Sequence, residues 1–185
     1  MTDDERLIKL LAERSARRGQ FTLASGKQSS FYVDARLTTM SPEGLVLIGR
    51  LALEKLRQSG WTVDAVGGLT LGADPISYAI SYASADSARP VRAFTVRKEA
   101  KAHGTGRRIE GPFKKNDRVV VIEDVITTGG SALRAIEAVR GEAGTVSGVL
   151  ALVDREEGGR ETIEAAGVPV IAITTASQII SALAN

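Results

Sequence analysis

The segment VVVIEDVITTGGSA, residues 119–132, decides which fold the rest of the chain must fit. Its β-branched start predicts a buried strand over residues 118–123, and Glu123 and Asp124 are expected to emerge where that strand ends. Small residues follow at once, and a helix is predicted to begin among them. Glycine lets backbone N–H groups approach a ligand closely, and a helix N-terminus attracts anions. With hydroxyl donors beside them, residues 127–131 predict a phosphate site.

The two acids need a different partner, because a carboxylate repels a phosphate. Sugar hydroxyls or a hydrated Mg²⁺ suit them, so the segment favours a ligand with a phosphate at one end and a diol at the other, such as a ribose 5-phosphate. A capped helix with solvated acids at its N-terminus is the simpler alternative. It explains each feature singly but not the ordered set. The spacing excludes a nucleotide P-loop, G-x-x-x-x-G-K-[ST], and the dinucleotide fingerprint G-x-G-x-x-G.

Length and composition limit the class of protein. The chain has 185 residues, which predicts a single domain over residues 1–185. Lys and Arg number 24 and Asp and Glu number 22, so the net charge of +2 gives no argument for nucleic-acid binding. The absence of cysteine excludes disulfides and thiolate metal sites. The charged N-terminus lacks a signal-peptide core and no window reaches bilayer length, so we expect a soluble cytoplasmic protein.

Apolar runs alternate with helical patterns along the chain. Continuous apolar strands between helices favour an α/β fold with a parallel sheet covered on both faces. Ligands of such folds bind beyond the C-terminal strand ends, here after Gly67, Val96, Glu123 and Val153. Strands are predicted at 21–23, 31–34, 63–67, 91–96, 118–123, 146–153 and 168–173. Helices are predicted at 3–18, 42–58, 73–83, 131–140, 161–166 and 174–183, with a loop at 98–114.

The order of four apolar residues, two acids, a short spacer and T-T-G-G-S closely resembles the phosphoribosyl-diphosphate signature of type I phosphoribosyltransferases. The resemblance implies a central, mostly parallel sheet flanked by helices, with a small N-terminal hood, residues 1–40, that contributes to the base site. It also implies that the acids bind the ribose hydroxyls and that residues 127–131 bind the 5-phosphate. The residues implied to bind phosphoribosyl diphosphate in this segment are Glu123, Asp124, Val125, Ile126, Thr127, Thr128, Gly129, Gly130 and Ser131.

The segment RKEAKAHGTGRRIEG, residues 97–111, concentrates positive charge in its first seven residues and contains three glycines after them. Arg97, Lys98, Lys101 and His103 follow a predicted strand directly. A basic segment with glycines on the ligand side of the sheet favours a lid that closes over a polyphosphate and excludes water. A solvated basic loop and a nucleic-acid patch are the alternatives, although such a patch would lack aromatic stacking partners.

Four segments together resemble orotate phosphoribosyltransferases in particular. The pattern R-K-x-x-K-x-H-G matches their catalytic loop, and FTLASGKQSSFYVDAR, residues 21–36, resembles their N-terminal substrate segment. GGLTLGADPIS, residues 67–77, resembles their pyrophosphate loop, and LVDREEGG, residues 152–159, the strand end that supplies an arginine to orotate. The resemblance implies transfer of the ribose 5-phosphate group from phosphoribosyl diphosphate to orotate. The products are orotidine 5′-phosphate and pyrophosphate, a step of de novo pyrimidine biosynthesis.

The same resemblance implies roles in the chemical step. Lys101, His103 and Asp124 are the implied catalytic residues. Arg97 and Lys98 join the lid lysine and histidine in binding the diphosphate. The leaving pyrophosphate gains negative charge and the ribose becomes cation-like, so cations on one side and anchored hydroxyls on the other suit this reaction.

Orotate and the cofactor also have implied partners. Arg155 pairs with the orotate carboxylate, and Thr127 touches orotate as well as the phosphate. Mg²⁺ is the implied cofactor, held mainly through substrate and water, with no side chain assigned as a direct ligand. A homodimer that shares lid residues between subunits is implied, with neither nucleic acid nor a membrane as partner.

Two positions depart from the family pattern. Some members carry a lysine just before the Ser-Gly of the N-terminal segment, where this chain has Ala24. Some carry another in the pyrophosphate loop, which here reads Thr70-Leu71-Gly72. Lys27 lies near the first position in sequence and is the candidate replacement there.

Three other functions are compatible with this type of fold. A purine-base transferase is disfavoured by the N-terminal segment and by Arg155. A transcription regulator that senses phosphoribosyl diphosphate needs a DNA-binding element, and the N-terminal helix is too short for one. An RNA-binding attenuator needs a basic face, and no basic stripe is evident outside the lid. Orotate-dependent release of pyrophosphate separates these alternatives.

Overall fold

The computed structural model describes residues 1–22, 26, 28–99 and 108–183. The helices are α1 (Asp3–Arg14), α2 (Arg36–Thr39), α3 (Pro42–Gln58), α4 (Ala73–Ala83), α5 (Gly130–Gly141), α6 (Gly159–Ala165) and α7 (Ala176–Ala182). The strands are β1 (Ala16–Thr22), β2 (Gln28–Val33), β3 (Ala65–Leu69), β4 (Arg92–Val96), β5 (Ile109–Glu110), β6 (Arg118–Ile126), β7 (Thr145–Asp154) and β8 (Val170–Thr175).

Six of these strands form the central sheet, in the order β5-β4-β3-β6-β7-β8. The pairings from β4 to β8 are parallel, and the two-residue β5 pairs antiparallel with β4 at the sheet edge. The predicted α/β fold with a mostly parallel sheet is confirmed. Strands β1 and β2 form a separate antiparallel hairpin.

Alternation along β6 divides the core between the two faces of the sheet. Val120 and Ile122 pack in a cluster with residues of α1, α3, α4 and α7. Val119 and Val121 pack on the opposite face in a cluster with residues of α5 and α6. All four side chains are fully buried. Because helices cover both faces, neither face of the strand needs polar residues, and the sequence is a continuous apolar run.

The N-terminal helix is shorter than predicted. Helix α1 ends at Arg14, and the prediction of a helix to residue 18 is wrong because Ala16 begins β1 and pairs with Val33. Phe31 and Val33 of the hairpin are buried with residues of α1 in the first core cluster. Tertiary pairing therefore overrides the helical pattern of the charged residues at this point.

Helix signals in the sequence are the most reliable features. The predicted helix at 73–83 is confirmed, and α3 begins as expected, with the Ser41 hydroxyl accepting a hydrogen bond of 3.1 Å from the Gly44 amide. Helix α2 and strand β5 were not predicted, and both are very short. No helix within the described residues is long and apolar enough to cross a membrane.

Candidate active site

The carboxyl ends of the central strands border a cleft of about 760 Å³. The turn after β3, the end of β6, the start of α5 and Arg155, just after β7, line the cleft. The hairpin closes the other side with Thr22, Tyr32 and Val33. This edge of the sheet is where open α/β folds bind their ligands. The cleft therefore lies where the sequence places the site.

The segment predicted to bind phosphate opens α5 at the floor of this cleft. Thr127, Thr128 and Ser131 line the cleft, and α5 begins at Gly130. Gly129 has a φ of +82°, a left-handed conformation that glycine adopts at little cost. A Cβ at that position would also lie 2.7 Å from the Gly159 carbonyl oxygen. Only glycine fits this turn, which brings a helix N-terminus and hydroxyl groups together as a phosphate site requires.

The two acids lie inside β6 rather than beyond it. The strand was expected to end at Glu123, but it continues to Ile126, because β7 pairs with it as far as Asp154. Glu123 and Asp124 both line the cleft. The Asp124 Oδ1 atom accepts a hydrogen bond of 2.9 Å from the Val125 amide. The sheet therefore holds both carboxyl groups rigidly, which a flexible loop would not do.

Glu123 is the most perturbed acid of the cleft. Its side chain is buried, and this burial, together with the neighbouring Asp124 charge and a hydrogen bond with Asp124, raises the pKa of Glu123 well above its ordinary value. The positive charge of Arg134 opposes the shift only in part. A buried carboxyl group beside a second carboxylate costs folding free energy when it ionises, which is typical of a group retained for function.

Replacing Glu123 with glutamine should stabilise the free protein. As the pH rises through the ordinary carboxyl pKa of about 4.3, the unfolded chain loses this proton while the folded chain keeps it. Wild-type stability therefore falls between that pH and the raised folded-state pKa of Glu123. Glutamine removes this loss because it carries no ionisable group. The melting temperature of the variant should exceed that of the wild type by about 2–4 °C near pH ~8, and by little near pH ~4.

The control for this measurement is Glu137→Gln, because Glu137 is exposed on α5. We expect it to leave the melting temperature within about 1 °C of wild type at both pH values. A gain for Glu123→Gln that did not change with pH would contradict burial of the ionisable group as its cause.

The two residues between the acids and the phosphate segment point in different directions. Val125 lines the cleft, whereas the Ile126 side chain is buried in the core on the α5 side of the sheet. The Ile126 carbonyl oxygen accepts a hydrogen bond of 3.0 Å from the Arg155 amide. The predicted role of Ile126 in binding is therefore confined to its backbone.

Arg155 joins the sheet edge to the hairpin. Its Nη2 atom donates to Glu157 Oε1 at 2.7 Å and to the Phe31 carbonyl oxygen at 3.2 Å. The guanidinium carbon lies 5.5 Å from the centroid of the Phe31 ring. Although its side chain is buried, the residue lines the cleft. A fixed guanidinium group beside an aromatic ring suits a planar anion such as a ring carboxylate.

The first two lid residues occupy different positions. Lys98 lines the cleft of its own chain. Arg97 is exposed, and its Nη1 atom lies 3.5 Å from Glu110 Oε1 on the edge strand β5. Lys101 and His103, the predicted catalytic residues of the lid, lie outside the described residues, as do Ala24 and Lys27.

A hydrogen-bond network fixes the turn after β3. The Thr70 hydroxyl donates to Asp74 Oδ2 at 2.6 Å, and Thr95 donates to Asp74 Oδ1 at 2.8 Å. A Cβ at Gly72 would overlap the Asp124 carboxyl group, so the turn touches the acids directly. The predicted pyrophosphate loop is thus anchored against Asp124, one of the two acids predicted to bind the ribose hydroxyls.

Three charged residues of the cleft were not singled out in the sequence. Asp34 and Arg36 line it just beyond β2, and Arg134 lines it from α5. Arg134 donates to the Ser131 hydroxyl at 3.2 Å. The D-x-R pattern directly after the substrate-segment strand was the available signal for the first two. For Arg134, the signal was its position one helical turn after the start of α5.

No family model matches the chain, but individual proteins match nearly all of it. The orotate phosphoribosyltransferase of Aquifex aeolicus (strain VF5) is 46% identical over 183 residues, covering 97% of this chain and 99% of the relative. The crystal structure of the Mycobacterium tuberculosis H37Rv orotate phosphoribosyltransferase in complex with Fe(III) dicitrate has a TM-score of 0.85 at 43% identity and covers 96% of this chain and 99% of that chain. A complex of that protein with 5-phospho-alpha-D-ribosyl 1-diphosphate has a TM-score of 0.81 at 40% identity, with coverages of 96% and 99%.

Proposed function

Because the chain belongs to the orotate phosphoribosyltransferase family, we propose that its cleft catalyses the reaction of that family. The enzyme is a pentosyltransferase. It transfers the ribose 5-phosphate group from phosphoribosyl diphosphate to orotate and releases orotidine 5′-phosphate and pyrophosphate, a step of de novo pyrimidine biosynthesis.

The observation that carries this assignment is the chemistry of one continuous cleft. A helix N-terminus with hydroxyl groups, a pair of carboxyl groups and a buried arginine beside an aromatic ring line the same space. These groups match the phosphate, the ribose diol and the orotate carboxylate. A substrate bound across them would have its anomeric carbon near Asp124, between the nucleophile and the leaving group.

The chain's own groups account for the chemical step. Thr127, Thr128 and Ser131 anchor the 5-phosphate, and the β6 carboxyl groups anchor the ribose hydroxyls. The Asp124 charge stabilises the ribose as it becomes cation-like. Lys101 and His103 neutralise the pyrophosphate as the bond to it breaks. Anchoring both ends of the ribose also removes rotational freedom, which lowers the barrier further.

Mg²⁺ fits this cleft as a cofactor that arrives with the substrate. No group of three or more potential ligands that could hold a metal ion lies in the described ranges. Mg²⁺ keeps several waters and commonly binds one or two carboxylates together with substrate phosphates. Asp124, half-buried in the cleft, is placed to hold such a hydrated ion. When bound, the ion supplies positive charge to the diphosphate.

We propose a homodimer formed through an apolar surface next to the cleft. Contiguous exposed apolar surface marks protein interfaces. Leu71 belongs both to the cleft and to this surface, so a second copy bound there would lie within reach of the cleft. The surface, which we call the α3/α4 face, combines a shallow pocket lined by Leu37, Met40 and Leu71 with a second pocket between α3 and α4 lined by Val46, Tyr78 and Tyr82. Each of these side chains is at least half exposed.

The remaining assignments concern organisation and location. We propose that residues 1–185 form one domain, in which residues 1–40 provide the hood over the base site. This agrees with the burial of the hairpin against α1 and with Phe31 beside Arg155. We also propose a cytoplasmic location, because phosphoribosyl diphosphate is a multiply charged anion that does not cross a bilayer unaided.

The purified protein should consume orotate only when phosphoribosyl diphosphate and Mg²⁺ are both present. The loss of orotate absorbance in the ultraviolet and the release of pyrophosphate measure the same event independently. Adenine, guanine and uracil serve as competing bases, and chelation of Mg²⁺ serves as the negative control. Equal or faster turnover with any of these bases would reject orotate as the substrate.

Arg155→Ala should raise the KM for orotate by about tenfold or more and change the KM for phosphoribosyl diphosphate by less than about threefold. Only orotate carries the carboxylate that this guanidinium pairs with. Arg155→Ala also removes the buried bond to Glu157, so Arg155→Lys is the second variant. Lysine keeps the positive charge but cannot form the two-pronged contact of a guanidinium group. An equal rise of both constants in both variants, with unchanged melting temperatures, would contradict the orotate contact.

A further inference from the structure

The positive side chains of the cleft are distributed unevenly. Arg155 lies beside Phe31 at the base end, and Arg134 lies beside Ser131 at the phosphate end. Lys98 stands at the start of the lid. This leaves Arg36 as the cation that the described residues place at the rim formed by the turn after β3.

The neighbouring carboxylate holds the Arg36 side chain in place. Its Nε atom donates to Asp34 Oδ1 at 2.8 Å, and its Nη2 atom donates to Asp34 Oδ2 at 2.9 Å. The Arg36 amide donates to the same carboxylate at 3.2 Å, which fixes the backbone as well. This two-pronged pair occupies one edge of the guanidinium group. Among the described residues the Nη1 atom has no hydrogen-bond partner, so it can donate to a further acceptor, and the side chain remains 47% exposed.

Arg36 also lies close to the part of the cleft that meets the leaving group. Arg36 and Leu71 line both the cleft and a shallow pocket at its rim. The next residue, Gly72, packs against Asp124. The hydrogen bonds with Asp34 raise the pKa of Arg36, and the charge of Asp124 adds to this effect, so the two groups are within electrostatic reach.

The geometry points to Arg36, just beyond the hairpin, as a pyrophosphate-binding residue. It supplies the cation that the Thr70-Leu71-Gly72 turn lacks. This inference rests on the proposed function and adds a residue to it. The turn offers backbone groups and a leucine, and the nearest acids repel a diphosphate. A guanidinium oriented by Asp34 offsets that repulsion and can donate two N–H groups to phosphate oxygens.

Arg36→Ala should weaken binding of phosphoribosyl diphosphate, measured by calorimetry with Mg²⁺, by about tenfold or more. The inhibition constant of inorganic pyrophosphate should rise by a similar factor, whereas the KM for orotate should change by less than about threefold. Arg36→Lys should retain part of the affinity, because it keeps the charge but not the fork.

Two further variants separate ligand binding from a structural role. Arg118→Ala removes a matching two-pronged pair, with Asp64 at 2.8 Å for both bonds, at the amino ends of β3 and β6 and so at the opposite end of these strands from the cleft. It should leave pyrophosphate inhibition unchanged. Leu71→Lys restores a cation on the same rim, and because Leu71 also belongs to the α3/α4 face, native mass spectrometry first establishes that the variant is dimeric. In the dimeric protein, Arg36→Ala combined with Leu71→Lys should recover most of the lost affinity.

The outcomes distinguish this inference from the function it builds on. If the wild type failed to bind phosphoribosyl diphosphate, the proposed function and the assignment of Arg36 would both be overturned. If the wild type binds it and Arg36→Ala binds it equally well, only the assignment of Arg36 is overturned. The assignment is also overturned if Arg36→Ala weakens the binding of orotate and diphosphate equally and Leu71→Lys, in a protein that is still dimeric, restores neither.

Discussion

Asp124→Asn should lower kcat/KM by about tenfold or more, which corresponds to a loss of about 1.4 kcal/mol or more of transition-state stabilisation. The substitution keeps the shape of the side chain and the oxygen that accepts the Val125 amide at 2.9 Å, so the fold should be retained. It removes the negative charge that, in the proposed function, stabilises a cation-like ribose and holds hydrated Mg²⁺. Steady-state rates with each substrate varied in turn measure the effect.

The control for this substitution is Asp86→Asn, since Asp86 is exposed in the loop after α4. It should leave kcat/KM within about twofold of wild type. Near-normal rates for Asp124→Asn, with unchanged affinity for phosphoribosyl diphosphate, would mean that the acids serve only as charges at the N-terminus of α5.

Most of the fold could be predicted from the sequence because the signals for its helices and strands are local. Ser41 followed by proline marks a helix start that needs no tertiary context, and the structure places the cap there. The apolar run before Glu123 predicts a strand covered on both faces, and both faces are covered. The C-terminal end of β6 could not be predicted, because pairing with β7, and not β-propensity, extends the strand to Ile126.

The hairpin shows where local signals fail. Arg17 and Arg18 continue the charged pattern of α1, yet both pair with β2. The pairing buries Ala16, Phe31 and Val33 against α1, and this gain depends on residues distant in sequence. No window short enough to define a helix contains that information.

The candidate site likewise has features that the sequence predicts and features that depend on the assembled fold. The small residues of the phosphate segment could be recognised from their order alone, because each contributes through its backbone or a short hydroxyl group. The raised pKa of Glu123 could not, since it depends on burial and on the placement of Asp124. The D-x-R pattern draws attention to Arg36, but the proximity to Leu71 and Asp124 on which its proposed role rests depends on the assembled fold.

Lys101→Ala is expected to lower kcat by about a hundredfold while weakening the binding of phosphoribosyl diphosphate by less than about tenfold. The lid lysine is predicted to meet the pyrophosphate as negative charge builds on the leaving oxygen, so it contributes more in the transition state than in the ground state. Single-turnover rates and equilibrium binding measure the two effects separately. Equal losses in both would indicate a contact made already in the ground state.

The same variant tests whether the lids cross between subunits. If the partner's lid completes each site, a heterodimer of Lys101→Ala and Asp124→Asn chains has one site with both defects and one intact site. Half of randomly paired dimers are heterodimers, so a mixture should recover about a quarter of wild-type activity above the mean of the two separate variants. Native mass spectrometry establishes that heterodimers have formed.

The position of Lys98 provides the internal control for this experiment. Because Lys98 lines the cleft of its own chain, a heterodimer of Lys98→Ala and Asp124→Asn chains has one defect in each site and no intact one. It should stay near the mean of its parents while the Lys101→Ala mixture recovers. Recovery in neither mixture, with heterodimers present, would mean that each chain closes its own site.

A charged substitution at Tyr82 on the α3/α4 face, where the side chain is 86% exposed, should separate the subunits and lower the activity as the dimer is lost. A fully active monomer would exclude shared sites.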